Sequence, residues 1–181
     1  MLNNNETLDI SKWCDNVATK VKESISMRGV VDTGNLLKSV DCYPEVVSDD
    51  VVNVVFVMWD YGYFQDEGVQ GANPSSMPKG GIQKAPGSRF KFGSGGKGGA
   101  LSKSIDGWMV RKGIAPRGMG GKFARRSGLK YVISRSIFLQ GLPPRKFFKP
   151  IWEKEVLALT PIVAQGLIKD IEQQWYERIK I

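Results

Sequence analysis

Apolar residues recur at steps of three and four near the start of the chain, between about Leu8 and Met27. This spacing places them on one face of an amphipathic helix and leaves charged residues on much of the other face. The stripe consists of Ile10, Trp13, Cys14, Val17, Val21 and Ile25. We expect Asp9 to cap the helix and Gly29 to end it, because a carboxylate accepts free backbone N–H groups and glycine adopts left-handed backbone angles.

A change from helical spacing to alternation predicts a β-hairpin next. Residues 39–47 alternate between apolar and polar, and residues 51–59 are nearly all β-branched or aromatic. We expect the second strand to be buried on both faces, one of them against a helix. Just before the hairpin, Asp32 or Thr33 is expected to cap a short helical turn.

Three further stretches have helical spacing. A short helix is predicted from Leu101 to Lys112, and a longer one from a cap at Ser127 to Gln140, where Gly141 ends it. The inner face of the longer helix is expected to carry Val132, Ile133, Ser136 and Ile137.

The C-terminal helix is predicted in two pieces. The first covers residues 151–159, and the second begins with Thr160 as a cap and Pro161 in its first turn. Its expected inner stripe is Ile162, Val163, Leu167, Ile168, Ile171, Trp175 and Ile179.

These elements predict an α+β fold, in which a small antiparallel or mixed sheet packs around amphipathic helices. The 181 residues suit a single domain, 1–181. Residues from about 71 to 126 are rich in glycine, lysine and arginine, which indicates a long basic loop inserted into that domain.

Positive charge is concentrated in one part of the chain. Between Lys79 and Lys149 there are seventeen basic residues and a single acidic residue, Asp106, within a chain of net charge +8. Such a segment favours a negatively charged partner, which could be DNA, the acidic remainder of the fold or a neighbouring subunit; the alternative is a solvated basic loop with no special role. The candidates in the loop are Lys79, Lys84, Arg89, Lys91, Lys97, Lys103, Arg111, Lys112, Arg117, Lys122, Arg125 and Arg126.

Candidate chemistry is sparse. The chain has no histidine, so a Ser-His-Asp or Cys-His nucleophile cannot be built. The two cysteines, Cys14 and Cys42, have apolar neighbours and are interpreted as buried thiols rather than zinc ligands. We therefore expect no catalytic residues, no metal, no cofactor and no enzyme activity. We also expect no secretory signal, because the first residues are polar, and no apolar run approaches the ~20 residues that span a membrane.

Three segments, in order, resemble motifs of one family, the bacteriophage tail-completion or tail-component proteins. The first motif, residues 32–39, is similar to the family's D-T-G-x-L-x-x-S stretch. The second, residues 61–68, resembles its Y-A-x-x-x-E-x-G segment. The third, residues 143–150, resembles its P-A-R-P-F-x-x-P tract.

This resemblance implies a structural role in the neck or tail of a virion, after assembly in the bacterial cytoplasm. Family members join the portal or connector side of the head to the tail proteins, and genomic DNA passes through the lumen of their ring. The implied assembly is a closed homo-oligomer of about six or twelve copies. The residues we expect at its interface are Tyr61, Phe64, Glu67, Arg145, Phe147 and Phe148.

Two other classes of function are open. A stand-alone DNA-binding protein would use residues 79–149, where aromatic residues that could stack on bases lie among the basic ones. A magnesium-dependent nuclease would need clustered carboxylates, and the basic segment has one. A large homogeneous ring on purification would favour the structural role, whereas a monomer with salt-sensitive DNA binding would favour the second class.

Overall fold

The computed structural model describes residues 4–48, 51–76, 81–93, 99–118 and 120–179. The fold is α+β, as predicted, with two small antiparallel sheets of two strands each among the residues described. The chain divides into two compact units. The first unit is Met1–Gly62 with Lys146–Ile181, and the second is Tyr63–Arg145, which contains the basic insertion expected at about 71–126.

The order of the elements along the chain is simple to follow from the N-terminus. Their bounds are α1 (Asn4–Met27), α2 (Asn35–Ser39), β1 (Asp41–Ser48), β2 (Val51–Val57), α3 (Tyr61–Glu67), β3 (Val69–Gln70), a 3₁₀ turn (Pro74–Ser76), α4 (Gly99–Arg111), α5 (Arg126–Gln140), β4 (Gly141–Leu142) and α6 (Lys149–Ile179).

Helix α1 supplies most of the core of the first unit. All six residues of the predicted stripe are buried. Gly29 ends the helix as predicted: its φ is +64°, and the Val30 N–H beyond it donates to the Ile25 carbonyl at 3.1 Å. The predicted cap at Asp9 is wrong, because the polar residues before it are also helical and α1 begins at Asn4.

Helix α2 begins without a side-chain cap. The predicted cap at Asp32 or Thr33 is wrong, since Gly34 occupies the N-cap position with φ +77° and no side-chain hydrogen bond is made there. A positive φ is open to glycine at little cost. The sharp turn before α2 therefore depends on Gly34.

Strands β1 and β2 form the predicted hairpin. They pair antiparallel from Asp41 opposite Val57 to Ser48 opposite Val51, with an irregularity between Val46 and Ser48. Burial of β2 on both faces is wrong: Val51 and Val57 are exposed. Exposed residues alternate along β2, so one face of the strand meets solvent, whereas the other packs through Phe56 on Phe148 and Trp152.

Helix α6 is a single helix, so the predicted break at Thr160 is wrong. Pro161 lies inside it and removes the N–H that would bond the Leu157 carbonyl. That carbonyl belongs to a highly exposed residue, so water can satisfy it instead. No helix within the described ranges, including this one, is long and apolar enough to cross a membrane.

The N-terminal half of α6 is fixed to α1 by polar as well as apolar contacts. Trp13 Nε1–H donates to the Glu155 carbonyl oxygen at 3.1 Å, and Lys20 Nζ lies 2.9 Å from the buried Glu155 carboxylate. The Trp13 and Trp152 rings meet edge to face with centroids 6.1 Å apart. These contacts set the face that α6 turns toward α1.

In the second unit, β3 pairs with β4 and α4 packs on α5. Helix α5 begins at Arg126, with Arg125 rather than Ser127 at the N-cap, so the predicted cap is wrong. Gly141 ends α5 as predicted, at φ +91°.

The predicted inner stripe of α5 is only partly right. Ile133 and Ile137 are half-buried as expected, but Val132 is exposed, and the buried residues are Ser134 and Leu139. The predicted helix at about 101–112 is present as α4. The basic segment is therefore not one continuous loop.

The two free cysteines, Cys14 on α1 and Cys42 on β1, are buried next to each other. Burial raises the pKa of both thiols above the ordinary value of 9.0, and a hydrogen bond between the two sulfurs raises the pKa of Cys42 further and lowers that of Cys14. Both thiols therefore stay protonated in the folded chain at a pH where they ionise in the unfolded chain.

We expect this difference to lower stability in alkaline solution. Because the folded-state pKa values are raised, the contribution is present below pH 9 and is lost as pH rises above it. The loss is up to about 1.4 kcal/mol per pH unit for each thiol. Urea unfolding at about pH 8 and about pH 10 would measure it. Between these two pH values, the Cys14→Ala/Cys42→Ala variant should lose less stability than the wild type. Equal losses in the two proteins would contradict the raised pKa of the two buried thiols.

Candidate subunit interface

The first and second motifs pack against each other in the first unit. Ser39 Oγ donates to the Leu36 carbonyl at 2.9 Å and accepts the Trp59 N–H at 3.1 Å. A Cβ atom on Gly62 would lie 2.9 Å from Leu36 Cδ1. The two motifs therefore join α2 to the end of the hairpin.

Tyr61 belongs to this junction, although its ring is half exposed. Burial raises the pKa of Tyr61, and the Asp32 charge adds to the rise, while a hydrogen bond with the Leu36 backbone opposes it. A hydrogen bond that lowers a phenol pKa is one in which the N–H donates to the oxygen. The Tyr61 hydroxyl thus satisfies a free N–H in the first turn of α2.

Phe64 and Glu67 lie in an exposed cluster of the second unit. Phe64 meets Phe90 edge to face at a centroid separation of 4.6 Å. Glu67 Oε1 lies 3.0 Å from Arg89 Nη2, and the Arg89 guanidinium lies 4.8 Å from the centre of the Phe90 ring. The cluster presents an aromatic and a charged surface together, which is typical of protein interfaces.

The second and third motifs meet in the second unit. The Arg145 N–H donates to the Gln65 carbonyl at 2.9 Å, and Val69 pairs with Leu142. Gly68 has φ +75°, and a Cβ atom there would lie 2.6 Å from the Leu142 carbonyl oxygen and 2.8 Å from the nitrogen of Pro144. Glycine is required by both conformation and space. Arg145 itself is exposed, as an interface residue needs to be.

The two phenylalanines of the third motif have different surroundings. Phe147 is completely buried in the first unit, so its expected place at a subunit interface is wrong. Phe148 is half-buried: its ring stacks on Trp152 with centroids 5.7 Å apart and lies tilted against Phe56 with centroids 4.6 Å apart. Of this pair, Phe148 alone retains surface for a neighbour.

The basic candidates are exposed wherever the structure describes them. Lys79 and Lys97 lie outside the described residues. The other ten are all exposed: Lys84, Arg89, Lys91, Lys103, Arg111, Lys112, Arg117, Lys122, Arg125 and Arg126. Arg126 is paired with the Asp106 carboxylate at 3.0 Å. Over the parts of the chain described, no three Cys, Asp or Glu side chains come together as a metal site would need.

Sequence reasoning missed the exposed apolar surface of α6. Val163, Ile168 and Trp175 were expected in a buried stripe, yet they are exposed, and so is Leu157. The side chains of Leu167, Ile171 and Ile179 lie outside the described residues. The signal available in the sequence was that α6 carries apolar residues on two faces, where an ordinary surface helix carries them on one.

The comparisons with known proteins gave no match. No family model, curated protein or solved structure matches the chain. The case for the candidate interface therefore depends only on the contacts, exposure and charges of its own residues.

Replacing Gly68 by alanine should destabilise the second unit. The added Cβ would approach two backbone atoms at a positive φ, and we expect a cost of about 2–4 kcal/mol. Gly87→Ala is the control: a Cβ there has nothing within 4 Å, so its effect should stay within about 0.5 kcal/mol. Thermal melts of the two variants would show the difference, and equal midpoints would refute the role given to Gly68.

The two phenylalanines allow a second comparison. Phe147→Ala should lower the free energy of unfolding by about 3–5 kcal/mol, because it empties a fully buried site. Phe148→Ala should cost about 1–2 kcal/mol, since its ring is half-buried and loses aromatic contacts. Chemical denaturation measures both; a larger loss for Phe148→Ala would show that the core position has been misassigned.

Proposed function

We propose that this chain is a non-enzymatic structural subunit of a bacteriophage neck or tail. In this proposal, copies close into a ring between the portal side of the head and the tail, and DNA passes through the lumen. The neighbours above and below the ring would be portal or connector proteins and tail proteins.

The observation that carries the proposal is the division of charge between the two units. The second unit has fifteen basic and three acidic residues, a net charge of +12, and the first has eleven basic and fifteen acidic residues, a net charge of −4. The basic side chains described in the loop are exposed, although Arg89 and Arg126 already pair with Glu67 and Asp106. Copies of one chain with units of opposite sign can attract each other in a fixed orientation.

The arrangement of the three motifs gives further support. The first packs on the second, and the second packs on the third. A family pattern that records a shared fold is expected at such junctions, because it preserves packing and turn geometry. The resemblance on which the phage role depends is therefore consistent with what these residues do in this fold.

A second candidate, a DNA-binding protein acting alone, is favoured by one basic turn. Arg117 and Phe123 form an isolated antiparallel bridge, with the Arg117 guanidinium 4.9 Å from the centre of an exposed Phe123 ring. Lys122, Arg125 and Arg126 lie beside them in the sequence. Such a turn could contact phosphates through its cations and a base through its ring.

The test is the size of the purified protein at several salt concentrations, with and without DNA. The wild type should form a large homogeneous assembly without DNA. Raising salt from about 0.1 M to 1 M should shift it toward smaller species, because the screening length falls from about 10 Å to about 3 Å. A monomer at every salt concentration would overturn the proposal, and a monomer that binds DNA with a steep salt dependence would favour the second candidate.

Matched charge reversals test the direction of the attraction. Lys112→Glu/Lys122→Glu makes the basic unit less positive and should raise the concentration needed for half-assembly by about tenfold or more. The control, Lys38→Glu/Lys154→Glu, changes net charge equally but makes the first unit more acidic. It should assemble as well as the wild type or better; equal weakening of both variants would contradict attraction between the units of different copies.

A further inference from the structure

Helix α6 exposes an apolar face along most of its length. Leu157 is 76% exposed, Ile168 is 56% exposed and Trp175 is 67% exposed. Pro161 and Ala164, which are also exposed, lie between the first two in sequence. We call these five residues the outer seam of α6.

The outer seam is not the face that packs in the first unit. Glu155 and Gly166 are buried, and Leu159 and Ile162 are half-buried, so they define an inner face. Glu155 and Leu157 are two residues apart, which at 3.6 residues per turn places them about 160° apart. The inner face is occupied by α1 through Trp13 and Lys20. The chain therefore uses one apolar face of α6 and leaves the opposite one in solvent.

The spacing of the outer seam is that of a helix-packing face. Its residues follow one another at steps of four, three, four and seven. Steps of four and three keep side chains in line along a helix that packs against another element. The seam extends over about 27 Å from Leu157 to Trp175, at 1.5 Å per residue. Leucine, isoleucine and tryptophan in that position carry a hydration cost that a partner would remove.

We propose that the outer seam of α6 docks on a second copy of this chain. The proposal rests on the self-assembly proposed above and names the surface that performs it. The charge division identifies the partner: a copy brings a unit of net charge +12 to a molecule whose α6 belongs to a unit of net charge −4.

The outer seam is smaller than a complete interface, so the contact with a second copy must also include surface outside α6. A strip about 27 Å long and about 10 Å wide covers about 270 Å², compared with about 800 Å² per partner in a stable interface. The seam is then the apolar centre of the interface, and the charged surfaces of the two units form its rim. Loss of either the centre or the rim should weaken assembly, and only loss of the rim should depend on salt.

Paired substitutions on α6 test the seam. Leu157→Gln/Ile168→Gln makes two seam positions polar with a residue that favours helix. The control, Val156→Gln/Val163→Gln, changes two exposed apolar residues that lie about 105–125° away from the seam on the same helix. Size would be measured by analytical ultracentrifugation of the full chain, and folding by thermal melts of each variant.

We expect the seam variant to remain folded and to need at least about tenfold higher concentration for half-assembly, whereas the control assembles like the wild type. Assembly of the seam variant at wild-type concentrations would overturn this inference and leave the proposed function standing. A wild type that is monomeric throughout would overturn the proposed function together with it. Equal losses in seam and control variants would also overturn the inference, because the effect would then belong to the helix and not to the seam.

Discussion

A helix on the surface of a protein stays soluble when one face is apolar and buried and the other is polar. Helix α6 does not meet this condition, because it has apolar residues on two opposite faces. The first unit is arranged around one of them: Trp13 and Lys20 of α1 bind the main chain and the carboxylate of Glu155. These contacts fix which way the helix faces and so determine that Leu157, Ile168 and Trp175 meet solvent.

The division of charge between the two units indicates what kind of partner could cover the outer seam. In the proposed assembly, a second copy covers the outer seam, and its acidic unit is opposite in sign to the second unit, where basic residues outnumber acidic ones by fifteen to three. Apolar surface supplies most of the free energy of such an interface, and charge complementarity sets orientation and the rate of encounter. These two properties together support the proposal that copies of the chain assemble with one another, and the proposed phage role depends on the resemblance of the three motifs.

Sequence patterns predicted what depends on local periodicity. The stripe of α1 was identified in full, because apolar residues at steps of three and four fall on one face of a helix but on both faces of a strand. Gly29 and Gly141 were identified as helix ends because glycine readily adopts a positive φ, and both residues have one in the structure. Predictions failed where long-range packing decided the outcome. The valines of β2 indicated burial on both faces, but the face that carries Val51 and Val57 is exposed.

The candidate site shows the same limit. Phe147 and Phe148 are consecutive and similar, and only their tertiary surroundings separate a fully buried core residue from a half-buried surface one. Tyr61 was selected as an interface residue, yet its hydroxyl bonds the first turn of α2. In α6, Ile168 and Trp175 were assigned to the buried face because a sequence does not say which of two apolar stripes the core takes.

The most direct test of self-assembly through α6 is photo-crosslinking from position 168. A photoreactive amino acid in place of Ile168 would be activated in a mixture of two forms of the full chain that differ in mass. Docking through the outer seam predicts crosslinked products that contain both forms, with the attachment point on a second copy. The same group placed at Val163, which lies away from the seam on the same helix, should give no such products. Self-assembly through the outer seam would be contradicted if irradiation at position 168 gave no crosslinked dimer, or if positions 168 and 163 gave equal amounts of it.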